Sequence, residues 1–232
     1  MADRGTLSEV RHETQRGRRD SIRAVESTPT PTIEAQVIRA ERTAYVQVRN
    51  ILADSFADDP IMAWMLSSRA NTRTARSRLF GPAVRSALHA GIVEIAQNGY
   101  AATLWWPPGH LRTKGPLSLL RDLWGLGPAW RALGSGMARA HRFYEGMLHM
   151  RPTTPHWYLA AIGTVPRARR RGAASALLET RLAACDAQHL PAYLECSNRD
   201  NLALYERHGF EAGEMATLEG SPPFWPMSRV AR

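Results

Sequence analysis

The chain has 232 residues, of which 44% are hydrophobic, and it carries a formal net charge of +9. A chain of this size can bury a core without a metal or a disulfide. Its two cysteines, Cys185 and Cys196, are too few for a disulfide framework and indicate a reducing, cytoplasmic compartment. No apolar run reaches the roughly 20 residues that cross a bilayer, and the N-terminus lacks the apolar segment of a signal peptide. These features argue against secreted and membrane-spanning proteins.

The positive charge is concentrated in the middle of the chain. Residues 1–60 carry nine arginines against ten acids, residues 61–151 carry twelve basic residues against three acids, and residues 152–232 carry nine against eight. Lys114 is the only lysine, so the excess of arginine reflects genomic base composition better than a binding function. Nucleic acid is therefore disfavoured as a partner.

Residues 1–32 predict a disordered N-terminal tail. They contain six arginines, five acids and no aromatic residue, and they end in alternating threonine and proline. Such a segment has too little apolar surface to pack. A basic arm for nucleic acid is disfavoured because the tail nets only about one charge. Residues 33–232 then form the predicted folded domain.

The first half of that domain mixes strand and helix patterns. In chain order the patterns predict a strand from residue 33 to 37, a helix over 41–56, a break at Asp58-Asp59-Pro60, an apolar turn over 62–66, a helix over 72–90 and strands over 92–96 and 101–106. Proline ends the first helix because the residue before it avoids the helical region. Asn98-Gly99 between the two strands is a strong hairpin signal.

The second half continues the alternation. In chain order it predicts two short helices within 115–150 with a break near Gly127-Pro128, a buried strand over 156–164, a helix with Ala174, Leu177, Leu178, Leu182 and Cys185 on one stripe, a strand over 192–196, a helix over 198–208, and strands over 210–218 and 224–229. A near-continuous apolar strand is typical of the centre of a sheet. The pattern predicts a layered α/β or α+β domain with a mixed sheet.

The run from Ile162 to Leu178 has the features of an anion site. A buried strand leads into a basic loop and then into a helix that starts on small residues. Free N–H groups and the dipole at a helix N-terminus bind anions. The residues that would surround a pyrophosphate are Arg169, Arg170, Arg171, Gly172, Ala173 and Ala174. A P-loop ending and a Gly-x-Gly-x-x-Gly motif are both missing, and a solvated basic helix start is the alternative.

A second motif follows about thirty residues later. Ser197 and Asp200 have capping-box spacing, and Gly209 suits the left-handed position that ends a helix. Asn201 and Tyr205 lie four residues apart and so share one helix face.

Together the two motifs resemble the GNAT N-acetyltransferase superfamily. Arg169-x-x-Gly172-x-Ala174 is similar to its coenzyme A pyrophosphate signature, and the segment from Asn201 through Tyr205 to Gly209-Phe210 is similar to its tyrosine helix. Further segments resemble the puromycin N-acetyltransferase group, namely those beginning at Ser55, Leu104, Trp157, Tyr193 and Phe224. The resemblance implies a mixed, mostly antiparallel sheet of six or seven strands, splayed at the central strand and flanked by helices.

The resemblance also implies a donor site. Acetyl-CoA would be the co-substrate, with its pantetheine arm on the backbone of Ile162, Gly163 and Thr164, and Asn201 would belong to the same site. Tyr205 would protonate the leaving sulfur, since a phenol with a pKa near 10 keeps its proton at pH 7.

The acceptor side is predicted from single residues. Glu195 could take the proton of the amine or form an ion pair with a nearby arginine. Asp58 and Asp59 could recognise a cationic acceptor, and Trp106 and His156 are further candidates. The eight histidines lack the spacing of metal ligands, so no metal is expected.

The sequence thus predicts an N-acetyltransferase that acts on a small-molecule amine, such as an aminonucleoside or another antibiotic-like amine, as a monomer or homodimer. A protein lysine or N-terminus as acceptor remains open. A non-catalytic acyl-CoA or nucleic-acid-binding protein on the same fold is the alternative from another class.

Overall fold

A seven-stranded mixed sheet organises the residues that the computed structural model describes, which are 36–67, 70–96, 98–110, 127, 131 and 133–232. Its strands are β1 (Val37–Arg39), β2 (Ile92–Ala96), β3 (Ala101–Trp106), β4 (Trp157–Thr164), β5 (Ala192–Cys196), β6 (Glu211–Ala212) and β7 (Trp225–Arg229). They are ordered β1-β2-β3-β4-β5-β7-β6, and β4 and β5 are the only parallel neighbours among these described strands. The predicted fold class is confirmed.

Helices flank the sheet. They are α1 (Tyr45–Ser55), α2 (Pro60–Leu66), α3 (Arg73–Ala90), α4 (Met137–Met150), α5 (Ala173–Ala187) and α6 (Leu202–Arg207). Helix α2 begins where the sequence breaks: Asp59 accepts a hydrogen bond from the Met62 backbone N–H at 2.8 Å, and Pro60 occupies the first turn. Proline is favoured there because its missing N–H would have no helical partner. Among the described residues, no helix is both long and apolar enough to span a membrane.

Strand β4 parts from β5 halfway along its length. It pairs with β5 only from Trp157 to Leu159, whereas it pairs with β3 as far as Thr164. Ala160 is an extra residue in the β3–β4 ladder, because Leu159 faces Trp105 and Ala161 faces Leu104. Such a bulge bends a strand and raises its twist. The bulge therefore lies where the two parallel strands diverge, and the β5-facing edge of β4 stays open beyond it.

The two faces of the sheet carry separate cores. Tyr158 and Tyr193 pack on the side of α1, α2 and α3, with Val48, Met62 and Phe80 in the same cluster. Leu159, Leu194 and Cys196 pack on the other side with Leu178 and Leu182 of α5 and with Tyr205 of α6. Successive residues of a strand point to opposite faces, so β5 separates the two sides.

Most predicted elements are confirmed, and two strands differ from the prediction. The hairpin, the strand over 192–196 and the helix over 72–90 lie as expected, within a residue. The strand predicted over 210–218 is wrong beyond Ala212, because the backbone leaves the sheet edge and returns only through the Ala216–Phe224 bridge. The first strand is seen only from Val37, and residues 33–35 lie outside the described part. The tail 1–32 and most of 111–132 lie outside it too, while the described α4 agrees with a helix in the second half of 115–150.

Ser197 does not have its predicted capping role. The Asn198 side chain accepts the bond from the Asp200 backbone N–H at 3.0 Å instead, and it caps a 3-10 turn (Arg199–Asn201) that leads into α6. The Ser197 hydroxyl donates to Asp59 in the loop before α2. A short asparagine side chain can bond the backbone two residues on, which leaves the serine free to join two segments.

Candidate active site

A cleft of about 920 Å³ opens where β4 and β5 diverge. It brings together most of the residues predicted for both halves of the site: Asp58, Asp59, Ile162, Gly163, Thr164, Arg169, Arg170, Gly172, Ala173, Ala174, Glu195, Asn201 and Tyr205. The splayed strands thus make one continuous space that reaches from the N-terminus of α5 to the side chains of β5 and α6. We call the β4–α5–α6 wall the donor side and the wall that contains α2 and α4 the acceptor side.

The N-terminus of α5 forms one end of the donor side. Gly172 precedes the helix with φ +83°, a left-handed conformation that glycine adopts at little cost. No side chain caps this helix end, and Ala173, Ala174 and Ser175 line the cleft. Uncapped N–H groups beside small side chains leave room for an anion at the helix dipole.

The open edge of β4 forms the middle of the donor side. Ile162, Gly163 and Thr164 line the cleft beyond the last pair with β5. Thr164 Oγ1 is buried without a hydrogen-bond partner among the described atoms. A Cβ at Gly163 would lie 2.6 Å from the Ser55 Cβ, so this glycine lets the end of α1 approach the strand. An extended ligand with amide groups could pair with this edge as another strand would.

Arg169 connects the donor side to the loop between α1 and α2. Its Nη2 donates to the Ser55 carbonyl oxygen at 3.0 Å, and its Nη1 lies 3.5 Å from Asp58 Oδ2. Both side chains of the ion pair are well exposed, so the pair is weak. Arg170 also lines the cleft, whereas Arg171 is exposed outside it.

Tyr205 lies on α6, in the wall of the donor side. Its side chain is buried, lines the cleft and packs edge-on against Phe210 at 6.1 Å between ring centroids. Burial raises the pKa of the Tyr205 phenol above its ordinary value, and nearby Cys196 and Asp59 raise it further. The phenol therefore holds its proton at neutral pH and can act as a hydrogen donor.

Glu195 is held by two partners on the acceptor side. Its Oε1 accepts from Arg151 Nε at 2.9 Å, and its Oε2 accepts from the Tyr158 hydroxyl at 2.7 Å. Burial raises the pKa of Tyr158 well above 10, so this phenol is the donor. The guanidinium of Arg151 also lies 3.7 Å from the centroid of the Tyr158 ring. The ion pair that the sequence left open for Glu195 is present, and both of its side chains are about 95% buried.

Arg151, the partner of Glu195, was not identified from the sequence. It directly follows α4 and lies 44 residues before Glu195, so no local spacing connects the two. Burial disfavours its charge, but the facing Tyr158 and Glu195 keep the pKa of Arg151 above its ordinary value. The only clue to it was the general rule that a buried carboxylate such as Glu195 needs a cation as a partner.

Two of the predicted site residues, Trp106 and His156, lie away from the cleft lining. Trp106 is buried in the core and stacks on His110 at 4.3 Å, because its face of β3 is covered by the helices rather than open to the cleft. His156 precedes β4 and packs edge-on against Tyr193. Neither is among the described residues that line the cleft. Asn201 does line it, in the turn before α6.

Comparisons with known proteins match this architecture. The model of the Acetyltransferase (GNAT) family matches residues 134–210. An uncharacterized N-acetyltransferase of Schizosaccharomyces pombe is 25% identical over 181 residues, which are 74% of this chain and 72% of that protein. These matches support a GNAT-family acetyltransferase.

Solved structures support the same fold. A Corynebacterium glutamicum protein, described as histone acetyltransferase HPA2 and related acetyltransferase, has a TM-score of 0.63 at 22% identity, over 85% of this chain and 96% of its own. The C-terminal condensation domain of Ebony has a TM-score of 0.56 at 10% identity, over 84% and 98%. The family-model match and the Schizosaccharomyces pombe relative support an acyltransferase enzyme.

The GNAT fold family uses acetyl-CoA, and two observations in this cleft fit that donor. The helix N-terminus at Gly172 suits a pyrophosphate, and the open edge of β4 suits the amide groups of a pantetheine arm. An anionic, extended ligand thus has a complementary group at each point of the donor side.

Proposed function

We propose that this chain transfers the acetyl group of acetyl-CoA directly to a primary amine of a small molecule. The observation that supports it best is the single cleft that joins the uncapped α5 N-terminus to both Tyr205 and Glu195. An aminonucleoside or another antibiotic-like amine, as in the puromycin N-acetyltransferase group that the sequence resembles, falls within this class.

The donor is held by the backbone and by arginines. We assign the pyrophosphate to the first turn of α5 with Arg169 and Arg170, and the pantetheine arm to the edge from Ile162 to Thr164. Bound acetyl-CoA supplies the activated thioester. The cleft would hold this group between β4 and β5, where Tyr158 lines it from one face of the sheet and Tyr205 from the other.

The proton transfers use one residue from each side. Tyr205 donates its proton to the departing sulfur, since its buried phenol stays protonated at neutral pH. Glu195 accepts the proton that the amine loses, directly or through a water, on a lone pair left free by Arg151 and Tyr158. The two transfers together convert an amine and a thioester into an amide and a thiol, and solvent restores both groups.

A small acceptor is favoured over a protein by the residues that line the acceptor side. Its lining is supplied by buried or half-buried side chains, among them Ile61, Met62, Phe143 and Phe224. Pockets with an apolar lining and a few convergent polar groups are typical of small-molecule sites. The two buried free thiols, Cys185 and Cys196, agree with the reducing cytoplasm in which acetyl-CoA would be available.

Acetyl-CoA binding and free-thiol release test the proposal together. A ligand that binds only the folded state stabilises it by about 2.7 kcal/mol at a hundredfold excess over Kd, so acetyl-CoA should raise Tm by roughly 5–10 °C. Arg169→Glu should abolish most of that shift. The matched control is Arg78→Glu, a charge reversal at an exposed position of α3 outside the cleft lining.

The catalytic part of the proposal is tested by incubating the protein and acetyl-CoA with a set of primary amines and measuring the coenzyme A thiol that is released. Amine-dependent release by the parent chain supports an acetyltransferase. A Tm shift without release for any amine would leave an acyl-CoA-binding protein, and no shift at millimolar acetyl-CoA would reject the donor site.

A further inference from the structure

A surface of α1 and α3 away from the cleft carries three arginines. We define this surface, the arginine face, by Arg42, Tyr45, Arg49, Arg85 and His89. The first belongs to a 3-10 turn (Arg42–Ala44) that leads into α1, the next two belong to α1, and the last two belong to α3. None of the five is among the described residues that line the cleft. The proposed acetyl transfer therefore leaves this surface without a role.

The Tyr45 ring holds two of the guanidinium groups in place. The guanidinium carbons of Arg49 and Arg85 lie 5.4 and 5.3 Å from the ring centroid, a distance at which an aromatic face attracts a cation. The Tyr45 hydroxyl in turn lies against α3, where a Cβ at Gly81 would come within 3.0 Å of it. The ring is thus packed between the two helices, and it orders one arginine from each of them.

Arg42 joins the same face through His89. Its Nη2 lies 2.9 Å from His89 Nδ1. Because a guanidinium has donors and no acceptor, the imidazole nitrogen accepts, and the ring keeps its own N–H on Nε2. This contact adds a third positive charge and one more donor to the face.

The three charges are not compensated within the described part of the chain. Arg73, on the same helix α3, donates to Asp54 at 3.0 Å. The arginines of the arginine face have no such pair with any described carboxylate, although Glu41 directly precedes Arg42 in the chain. Base composition accounts for the number of arginines but not for their convergence on one tyrosine. Like charges that are held together repel each other, so an anion bound at this face would be stabilised.

We propose that the arginine face binds phosphate groups of a ligand other than the acetyl donor. A phosphate monoester carries a charge of about −2 and three acceptor oxygens, so one group can meet several arginines at once. Guanidinium groups pair with phosphate through two parallel hydrogen bonds. A free polyphosphate and the backbone of a nucleic acid share this chemistry. The site is separate from the cleft, so it stands or falls independently of the proposed transfer.

Tripolyphosphate, titrated into the full chain by calorimetry, tests the site. Saturating acetyl-CoA is present throughout, so that the donor side is occupied. Arg85→Gln should weaken binding at least about tenfold, because it removes a charge-assisted hydrogen bond to phosphate. Arg73→Gln is the matched control, since it removes the same charge from the same helix at a position already paired with Asp54. Both arginines are exposed, so both variants should fold.

The control should change tripolyphosphate binding by less than about twofold. Equal losses in the two variants would show a general attraction of anions to a basic protein and would overturn the site. The absence of tripolyphosphate binding by the parent chain at low salt would overturn it as well.

Two further ligands identify the source of the phosphate. If it is a nucleic acid, a short DNA duplex should bind more tightly than tripolyphosphate. Arg49→Gln with Arg85→Gln should then reduce the slope of log Kobs against log salt by about 1.8, since each phosphate contact contributes about 0.9. A duplex that binds no better, with an unchanged slope, assigns the site to a free polyphosphate. Polyglutamate that binds as tightly as tripolyphosphate, with the same loss in Arg85→Gln, would overturn the preference for phosphate.

Discussion

The two sides of the cleft are built in different ways. The donor side is made mainly from one continuous run, residues 160–175, in which a strand, a short basic loop and a helix N-terminus follow each other. The acceptor side combines the loop after α1, helix α2, helix α4 with Arg151, and the segment before β7. A site built from one continuous segment can be recognised as a motif in the sequence, whereas a site assembled from side chains of distant segments cannot. The donor side can thus stay constant while the acceptor side changes.

The largest expected effect is at Tyr205, on α6 of the donor side. Tyr205→Phe keeps the ring that packs on Phe210 and removes only the hydroxyl, so Tm and acetyl-CoA affinity should barely change. Loss of a positioned general acid typically costs about 10²–10⁴-fold in rate. The loss should fall on kcat and not on KM, as expected for an interaction made in the transition state. Retention of more than about half the parental rate, with chemistry rate-limiting, would remove Tyr205 from the mechanism.

The next largest effect concerns the ion pair of the acceptor side. Arg151→Met leaves the buried Glu195 without its cation, and breaking such a pair costs about 3–5 kcal/mol. For a chain of this size, Tm should fall by roughly 6–20 °C, measured by calorimetry. An unchanged Tm would mean that Glu195 is solvated or protonated.

A double variant separates stability from catalysis at the same pair. Arg151→Met with Glu195→Gln removes both charges and still lets the Tyr158 hydroxyl donate to the amide oxygen. Most of the lost Tm should return, whereas kcat should stay about 10²-fold low because no carboxylate accepts the proton. Recovery of both Tm and kcat would assign Glu195 a purely structural role.

An ion pair that lies outside the cleft should give a smaller effect. Its loss should lower the stability of the whole domain without affecting one side of the cleft more than the other. Asp186, at the end of α5, accepts hydrogen bonds from Arg229 Nη1 and Nη2 at 2.7 and 2.8 Å. The hydrogen bonds from Arg229 lower the pKa of Asp186 to about 2, although partial burial opposes this. Because the folded pKa is depressed, this stabilisation is fully present above pH 4 and is lost as the pH falls towards 2.

Asp186→Asn should therefore lower Tm by roughly 3–10 °C at neutral pH. The difference from the parent should shrink as the pH falls from 4 to 2, and KM for both substrates should not change. A difference in Tm that persists at pH 2 would contradict the assigned charge effect.

The smallest effect on stability is expected from the exposed ion pair at the rim of the cleft. The Asp58–Arg169 pair is exposed at 3.5 Å, and such pairs contribute about 0–1 kcal/mol. Asp58→Asn should leave Tm within about 2 °C and should tighten acetyl-CoA binding slightly, by up to about fivefold, because Arg169 is freed for the pyrophosphate. Weaker binding, measured by calorimetric titration, would mean that Asp58 positions Arg169 for the donor.

Much of the fold was predictable from local patterns. The hairpin around Asn98-Gly99 and the strand from 192 to 196 follow from turn chemistry and apolar alternation, both of which act over a few residues. The splay of β4 and β5 was expected only from the family resemblance, since no local pattern announces that two paired strands will part. The extra residue Ala160 looks like any other alanine in an apolar run.

Some residues of the candidate site could be predicted from the sequence and others could not. Tyr205, Gly172 and Arg169, which line the cleft, were singled out because their neighbours in the chain form motifs. Arg151 was not found, since its partner is a strand 44 residues away. Ser197 was expected to bond its own helix, and instead it bonds Asp59, 138 residues away. For such polar side chains, local and distant partners compete, and only the folded arrangement decides between them.

The alternation along β5 also determines where this chain can gain or lose residues during evolution. Glu195 faces the acceptor side, while Leu194 and Cys196 face α5 and α6. A one-residue insertion before Leu194 would reverse every following side chain, moving a carboxylate into the apolar core and away from Arg151. The irregular connection from residue 213 to 224 has no such constraint. Length variation among relatives is expected there, without cost to the strand.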